Sequence, residues 1–204
     1  LVLKLGGMRI WGWENIPEKD TPVIIIANHI SFGDPAVLAQ AFPYQITFIA
    51  KEDFGRSFFT RLIFGACGAV FLKSGESDLT ALRCSINELK QGRAVAIFPE
   101  GTRHYDQQMG EFKPGAAFIA YHAGARILPV SLINTGDFWR FWRHNIILNI
   151  GEPIILERVG KLDREFLDRY NEIFAAQVKM LFDESKEILE KEGRKMRKPP
   201  KRCA

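Results

Sequence analysis

The sequence predicts a single-domain α/β fold with a mostly parallel sheet flanked by helices, on three observations. Short apolar runs such as Val23–Ala27 and residues 94–98 carry no charge on either face, as strands buried on both sides do. They alternate with segments whose apolar residues recur at helical spacing, for instance Leu79, Leu82, Ile86 and Leu89. A chain of 204 residues, 47% hydrophobic and 25% charged, is long enough for one well-buried core, and no internal repeat or linker divides it. The domain is expected to run over 1–204, with its core at about 8–155, a C-terminal helix at about 163–192 and a basic tail at 194–204.

Taken in order, residues 8–13 and Val23–Ala27 read as strands separated by the turn-like Glu14-Asn15-Ile16-Pro17. Residues 34–42 form a short helix, opened by Asp34-Pro35 and closed by Pro43. A β-rich run at 46–50 follows, then an aromatic-rich helix at 54–65 and a strand at Ala69–Leu72. The helix at 77–91 stops where Gly92 supplies a C-terminal cap, and 94–98 is the next strand. A helix at 116–123 ends at Gly124, and strands at 127–133 and 145–150 follow. The last helix carries Phe166, Tyr170, Ile173, Phe174, Met180 and Leu181 on its apolar stripe.

Charge and residue usage narrow the function classes. A formal net charge of +4 favours acidic partners such as phosphates, anionic lipid heads, coenzyme A or an acidic carrier protein. No RNA-binding motif, zinc spacing or helix-turn-helix pattern is present, so nucleic acid is not an expected partner. The three cysteines, Cys67, Cys84 and Cys203, are odd in number and lack CxxC spacing, which argues for a reducing compartment. The four histidines form no i, i+4 pair, and no metal site is expected. No apolar run approaches the roughly 20 residues of a spanning helix. The chain opens on Leu1-Val2-Leu3-Lys4-Leu5, which leaves open an upstream hydrophobic segment or a trimmed start.

Two strand ends carry candidate chemistry. The run Val23–Ala27 stops at Asn28-His29-Ile30-Ser31-Phe32-Gly33-Asp34-Pro35. His29 and Asp34 stand five residues apart, which is about 140° on a regular helix and opposite faces of a strand, so only a turn lets them meet. A carboxylate on one imidazole nitrogen would fix the tautomer and leave the other to take a proton. The alternative is a plain helix start, with Asp34 as N-cap and Pro35 at the first helical position. The second strand end is Phe98-Pro99-Glu100-Gly101-Thr102-Arg103, with Lys113-Pro114-Gly115 opening a helix ten residues after Arg103. Arg103, Lys113 and the free amides of a helix start suit a phosphate, and the same residues are also ordinary turn composition with a solvated ion pair. In an open α/β sheet, sites lie at the carboxyl ends of strands, so these two stretches are expected to be neighbours.

The order of Asn28-His29-(four residues)-Asp34, Phe98-Pro99-Glu100-Gly101-Thr102-Arg103, Phe112-Lys113-Pro114-Gly115 and Ile127-Leu128-Pro129-Val130 resembles the glycerolipid acyltransferase family. The likeness takes in Trp13-Glu14-Asn15-Ile16-Pro17 and covers about 12–153. It implies a glycerol-3-phosphate acyltransferase-like fold, with His29 as general base, Asp34 orienting it, and Glu100, Gly101, Thr102 and Arg103 holding a phosphorylated acceptor. The implied reaction moves a fatty acyl group from acyl-CoA or acyl carrier protein to a lysophospholipid, foremost 1-acylglycerol-3-phosphate giving phosphatidic acid, with no cofactor. The implied setting is the cytoplasmic face of a membrane, peripheral or anchored by a segment outside this chain.

One departure concerns the acceptor. Where the family has a strand ending in an arginine, this chain has Ala69-Val70-Phe71-Leu72-Lys73-Ser74-Gly75, so Ser74 takes the arginine's place and Lys73 is the nearest charge. Another lysolipid acceptor therefore stays open. The stretch Phe138-Trp139-Arg140-Phe141-Trp142-Arg143-His144 interleaves aromatics and cations, as a membrane-interface anchor or an acyl groove would. Residues 29–33, His-Ile-Ser-Phe-Gly, also leave a serine esterase reading, in which Ser31 is the nucleophile of a strained strand-to-helix turn.

Overall fold

The computed structural model describes residues 3–5, 7–51, 65, 68–72, 78–106, 108–137, 145–159 and 162–196. Its strands are β1 (Leu3–Leu5), β2 (Met8–Trp11), β3 (Val23–Ala27), β4 (Ile46–Lys51), β5 (Ala69–Leu72), β6 (Ala94–Ile97), β7 (Arg126–Ile133) and β8 (Ile146–Ile150). They form one sheet in the order β1-β2-β8-β7-β3-β6-β4-β5. From β7 to β5 every pairing is parallel, whereas β8 runs antiparallel to β7. The helices described along their length are α1 (Asp34–Ala41), α2 (Asp78–Lys90), α3 (Gly115–Ala123) and α4 (Arg164–Lys191). The sheet is thus mostly parallel and helix-flanked, as the alternating apolar and amphipathic segments require.

The central strand explains why the sheet is two-sided. All five residues of β3 are fully buried. Val23, Ile25 and Ala27 pack with Val37, Leu38 and Ala41 of α1 on one face. Ile24 and Ile26 pack on the other with Ala116, Ala117 and Ala120 of α3 and Phe166, Phe174 and Val178 of α4. An uninterrupted apolar run is what a period-2 strand needs when both faces are covered.

Two differences from the sequence expectations have local causes. Leu3–Leu5 forms a strand, pairing antiparallel with Met8, Arg9 and Ile10, a segment too short for periodicity to register. On α4 the buried stripe is Phe166, Tyr170, Phe174, Val178, Leu181, Phe182, Ser185 and Leu189, while Ile173 and Met180 are exposed. The true stripe advances in steps of three and four, and Ile173 and Met180 fall to its outer side. Of the helix expected over 54–65, only Gly65 is among the described residues, and the stretch 138–144 and the tail from 197 onward lie outside them.

Helix α4 begins at a true cap, for Asp163 is extended and its carboxylate accepts from the Phe166 amide at 2.8 Å. Asp163→Ala should lower stability by about 1 kcal/mol, measured by urea denaturation, because that amide then has no intrahelical partner.

Candidate active site

The register of the sheet brings three strand ends together. β3 lies between β7 and β6, with Ile26 opposite both Ile97 and Pro129. The chain therefore leaves β3 at Asn28-His29, β6 at Phe98-Pro99-Glu100 and β7 at Asn134-Thr135 on the same edge, where a parallel α/β sheet places its sites. Asn28 fixes the exit from β3. Its buried side-chain amide donates to the Leu132 carbonyl at 3.0 Å and accepts from the Leu132 amide at 2.7 Å, prolonging the pairing with β7 after the backbone has turned away.

The turn that follows brings His29 and Asp34 into contact, with Nδ1 of the imidazole 2.6 Å from Oδ2 of the carboxylate. That same oxygen accepts the amides of Ile30 at 2.8 Å and Ser31 at 2.9 Å. Asp34 therefore closes the turn behind it and is not the cap of α1, where Gly33 holds the N-cap position and no side-chain cap bond is made. Ser31 Oγ accepts from the Gly33 amide at 3.1 Å, the bond of a turn former. A carboxylate only accepts, so it selects the imidazole tautomer with hydrogen on Nδ1 and the lone pair on Nε2. Asp34 is fully buried, while the His29 side chain keeps 18% of its surface, enough to meet a substrate. The ring stacks on Phe98 at a centroid distance of 4.1 Å and an interplanar angle of 16°.

The loop after β6 grips the backbone of His29 from both sides. Glu100 Oε1 accepts the His29 amide at 2.7 Å, and the His104 amide donates to the His29 carbonyl at 2.8 Å. Glu100 Oε2 accepts the Gly110 amide at 2.7 Å, with His104 Nε2 3.4 Å away. Glu100, expected to hold the acceptor, is turned inward in this geometry. Its side chain is fully buried, both oxygens serve backbone amides, and none of it faces solvent. Burial raises its carboxyl above the usual glutamate value, against the lowering effect of those two amides. A side chain at Gly110 would crowd His104, since a Cβ there would sit 2.2 Å from its Nε2.

The cationic residues stand on the outer side of this loop. Gly101 has φ +69°, and a Cβ there would lie 2.9 Å from Lys113 Nζ, so glycine allows both the turn and the close approach of the lysine. The Arg103 guanidinium lies 5.9 Å from the Phe32 ring centroid and 5.5 Å from that of Tyr105. Cation–π contacts of this kind are attractive and help place the guanidinium. Thr102 is exposed beside it. Thus His29, Asp34, Gly101, Thr102, Arg103 and Lys113 share one strand-end cluster, Glu100 stands behind it, and Lys73 and Ser74 lie outside the described residues.

Thr135 has no counterpart in the sequence expectations. It is fully buried, and its hydroxyl donates to Asp34 Oδ1. The available signal was the same as at the other two strand ends, an apolar run, 127–133, stopping at the polar pair Asn134-Thr135.

Among the described residues, no cluster of three His, Cys, Asp or Glu side chains could hold a metal ion, and no helix is long and apolar enough to cross a membrane. The chain is 34% identical over 172 residues to the 1-acyl-sn-glycerol-3-phosphate acyltransferase of Borreliella burgdorferi, covering 82% of this chain and 67% of that protein. It is 31% identical over 183 residues to the 1-acyl-sn-glycerol-3-phosphate acyltransferase of Streptococcus pneumoniae, covering 85% and 66%. The chain thus spans about two-thirds of the length of either relative. The crystal structure of the 1-acyl-sn-glycerophosphate (LPA) acyltransferase from Thermotoga maritima matches with a TM-score of 0.64 and 31% identity, over 85% of this chain and 71% of that one. The Acyltransferase family matches residues 8–133, more than half the sequence and the strand ends after β3 and β6, and the chain belongs to that family.

Proposed function

We propose that the chain transfers a fatty acyl group from a thioester to the free hydroxyl of 1-acylglycerol-3-phosphate, giving phosphatidic acid. The observation that carries this reading is the 2.6 Å contact of His29 Nδ1 with buried Asp34, which leaves Nε2 as a base at a strand-end site flanked by cations. In the proposed step Nε2 takes the proton of the acceptor hydroxyl as its oxygen bonds to the thioester carbonyl carbon. The tetrahedral oxyanion then collapses, the carbon–sulfur bond breaks, and the departing thiolate recovers the proton from the imidazolium. A thioester has a good leaving group, so neither a covalent acyl-enzyme nor a cofactor is required. General-base assistance accounts for roughly 10² to 10⁴ in rate, and positioning and oxyanion stabilisation for the rest.

Arg103 and Lys113 are assigned to the acceptor phosphate as the cations of the strand-end cluster, Arg103 because a planar guanidinium matches phosphate geometry. The donor is acyl-CoA or acyl carrier protein, both acidic and both matched to a chain of net charge +4. Because the substrates are lipids, the proposed place of action is a membrane surface, on its cytoplasmic side.

The test offers the purified protein an acyl thioester with a panel of lysolipids and follows products by mass spectrometry. Diacyl product from 1-acylglycerol-3-phosphate is the expected result, and no acyl transfer to any acceptor overturns the proposal. Arg103→Ala should raise the KM for the acceptor about tenfold or more while the donor KM changes little; equal changes in both would remove Arg103 from the phosphate site.

A further inference from the structure

We propose that Thr135 is a positioning residue for the proton-transfer step, the third member of a chain running Thr135–Asp34–His29. This rests on the reading of His29 as the base. The Asp34 carboxylate is fully buried, and its two oxygens have different surroundings. Oδ2 receives His29 Nδ1 and the amides of Ile30 and Ser31, all from its own turn. Oδ1 receives the hydroxyl of Thr135, which comes from the end of the neighbouring strand β7, 101 positions along the chain.

The chemistry of that bond has one direction. An ionised carboxylate only accepts, so the threonine hydroxyl donates. A buried carboxylate oxygen left without a donor carries a desolvation cost, and the carboxylate is then held through Oδ2 alone, which permits small rotations about its last torsion. Rotation takes Oδ2 out of line with Nδ1, and with it the imidazole. Thr135 holds the carboxylate plane so that one oxygen stays with the histidine through the transient imidazolium. A misplacement of about 1 Å in such an arrangement can cost up to about 100-fold in rate.

The fold places Thr135 with evident constraint. β7 ends at Ile133, Asn134 takes a left-handed conformation at φ 59°, and Thr135 opens the short 3-10 turn Thr135–Asp137. Asn134 is itself buried, its side-chain amide donating to the carbonyls of Asn145 and Lys195. On the neighbouring strand, the Asn28 clamp on Leu132 sets the spacing of the β3 and β7 ends. Two buried asparagines therefore fix the strand ends between which the hydroxyl and the carboxylate meet.

The experiment compares wild type, Thr135→Val, Thr135→Ser, His29→Ala and the double variant His29→Ala/Thr135→Val in acyl transfer from an acyl-CoA to 1-acylglycerol-3-phosphate. Thr135→Val should lower kcat about tenfold with both KM values unchanged, and Thr135→Ser, which keeps the hydroxyl, should recover it to within about threefold. The two losses should not multiply: the double variant should be no slower than His29→Ala alone, because Thr135 acts only through the histidine. Thr135→Ala, read alongside, removes the hydroxyl without a second methyl and so separates loss of the bond from a packing fault of valine. Wild-type kcat in both Thr135→Val and Thr135→Ala, with His29→Ala strongly slowed, overturns the role of Thr135 alone. An equal fold-loss on adding Thr135→Val to either background assigns the residue to the scaffold and also overturns it. Full activity in His29→Ala overturns the reading on which the inference rests.

Discussion

Replacing His29 by alanine should lower kcat by about 10² to 10⁴, with the acceptor KM within about twofold of wild type. The first part follows from the chemistry. With Nε2 gone, nothing at the β3 end is left to take the hydroxyl proton, and binding by the cationic loop is untouched. The second part follows from how His29 is held. Its amide bonds to Glu100 and its carbonyl to His104, so the turn keeps its anchors when the ring is removed. Asp34 loses one partner and retains the amides of Ile30 and Ser31 and the hydroxyl of Thr135. The variant should fold, and circular dichroism with a thermal melt checks that the loss is one of catalysis.

Replacing Glu100 by alanine should damage both activity and stability. Its carboxylate is the acceptor for two amides on different segments, His29 and Gly110. Leaving a buried donor unpaired costs roughly 1–3 kcal/mol, so two of them give a loss of about 2–6 kcal/mol, read by urea denaturation. The turn that carries the base also loses the anchor setting its distance from the cationic loop, and kcat should fall about 100-fold. A change confined to the acceptor KM, with stability unaltered, would return Glu100 to the substrate-binding role. Glu100→Gln makes a related pH test. Burial holds the folded-state value of Glu100 above its ordinary one, so between the two values the native protein binds more protons than the unfolded chain. Stability should therefore fall as pH rises through that window and level off above it. Glutamine is uncharged throughout, so the difference in unfolding free energy between wild type and Glu100→Gln should drift against wild type as pH rises through that window.

The sheet was legible because its central strands are uniformly apolar: nothing but a strand covered on both faces accounts for Val-Ile-Ile-Ile-Ala followed at once by a polar turn. The pairing of His29 with Asp34 was legible as a requirement, since spacing demanded a turn between them, but spacing alone left the aspartate equally good as a helix cap. What decides is the direction of its hydrogen bonds, back to Ile30 and Ser31, and that depends on a backbone path no residue count reveals. Glu100 was assigned to the acceptor only through the resemblance of its Glu-Gly-Thr-Arg stretch, and its orientation depends on the parallel register of β3 and β6. Thr135 was the hardest to see. Its contact with Asp34 joins segments 101 positions apart, and a buried threonine after a strand has no distinguishing pattern of its own. The acceptor corner at Lys73-Ser74 lies outside the described residues, and its departure from the family stands as a feature of the sequence.

The central claim is direct attack by an acceptor hydroxyl that His29 has deprotonated, with no acyl-enzyme on the way. It is tested most directly by mixing enzyme with an excess of acyl thioester, first without and then with 1-acylglycerol-3-phosphate, and quenching at intervals for intact-protein and lipid mass spectrometry. The account predicts that the protein mass stays unchanged before the acceptor is added and that diacyl product appears only afterwards. An acyl adduct on Ser31 that forms without acceptor and passes into product when acceptor is supplied would contradict it.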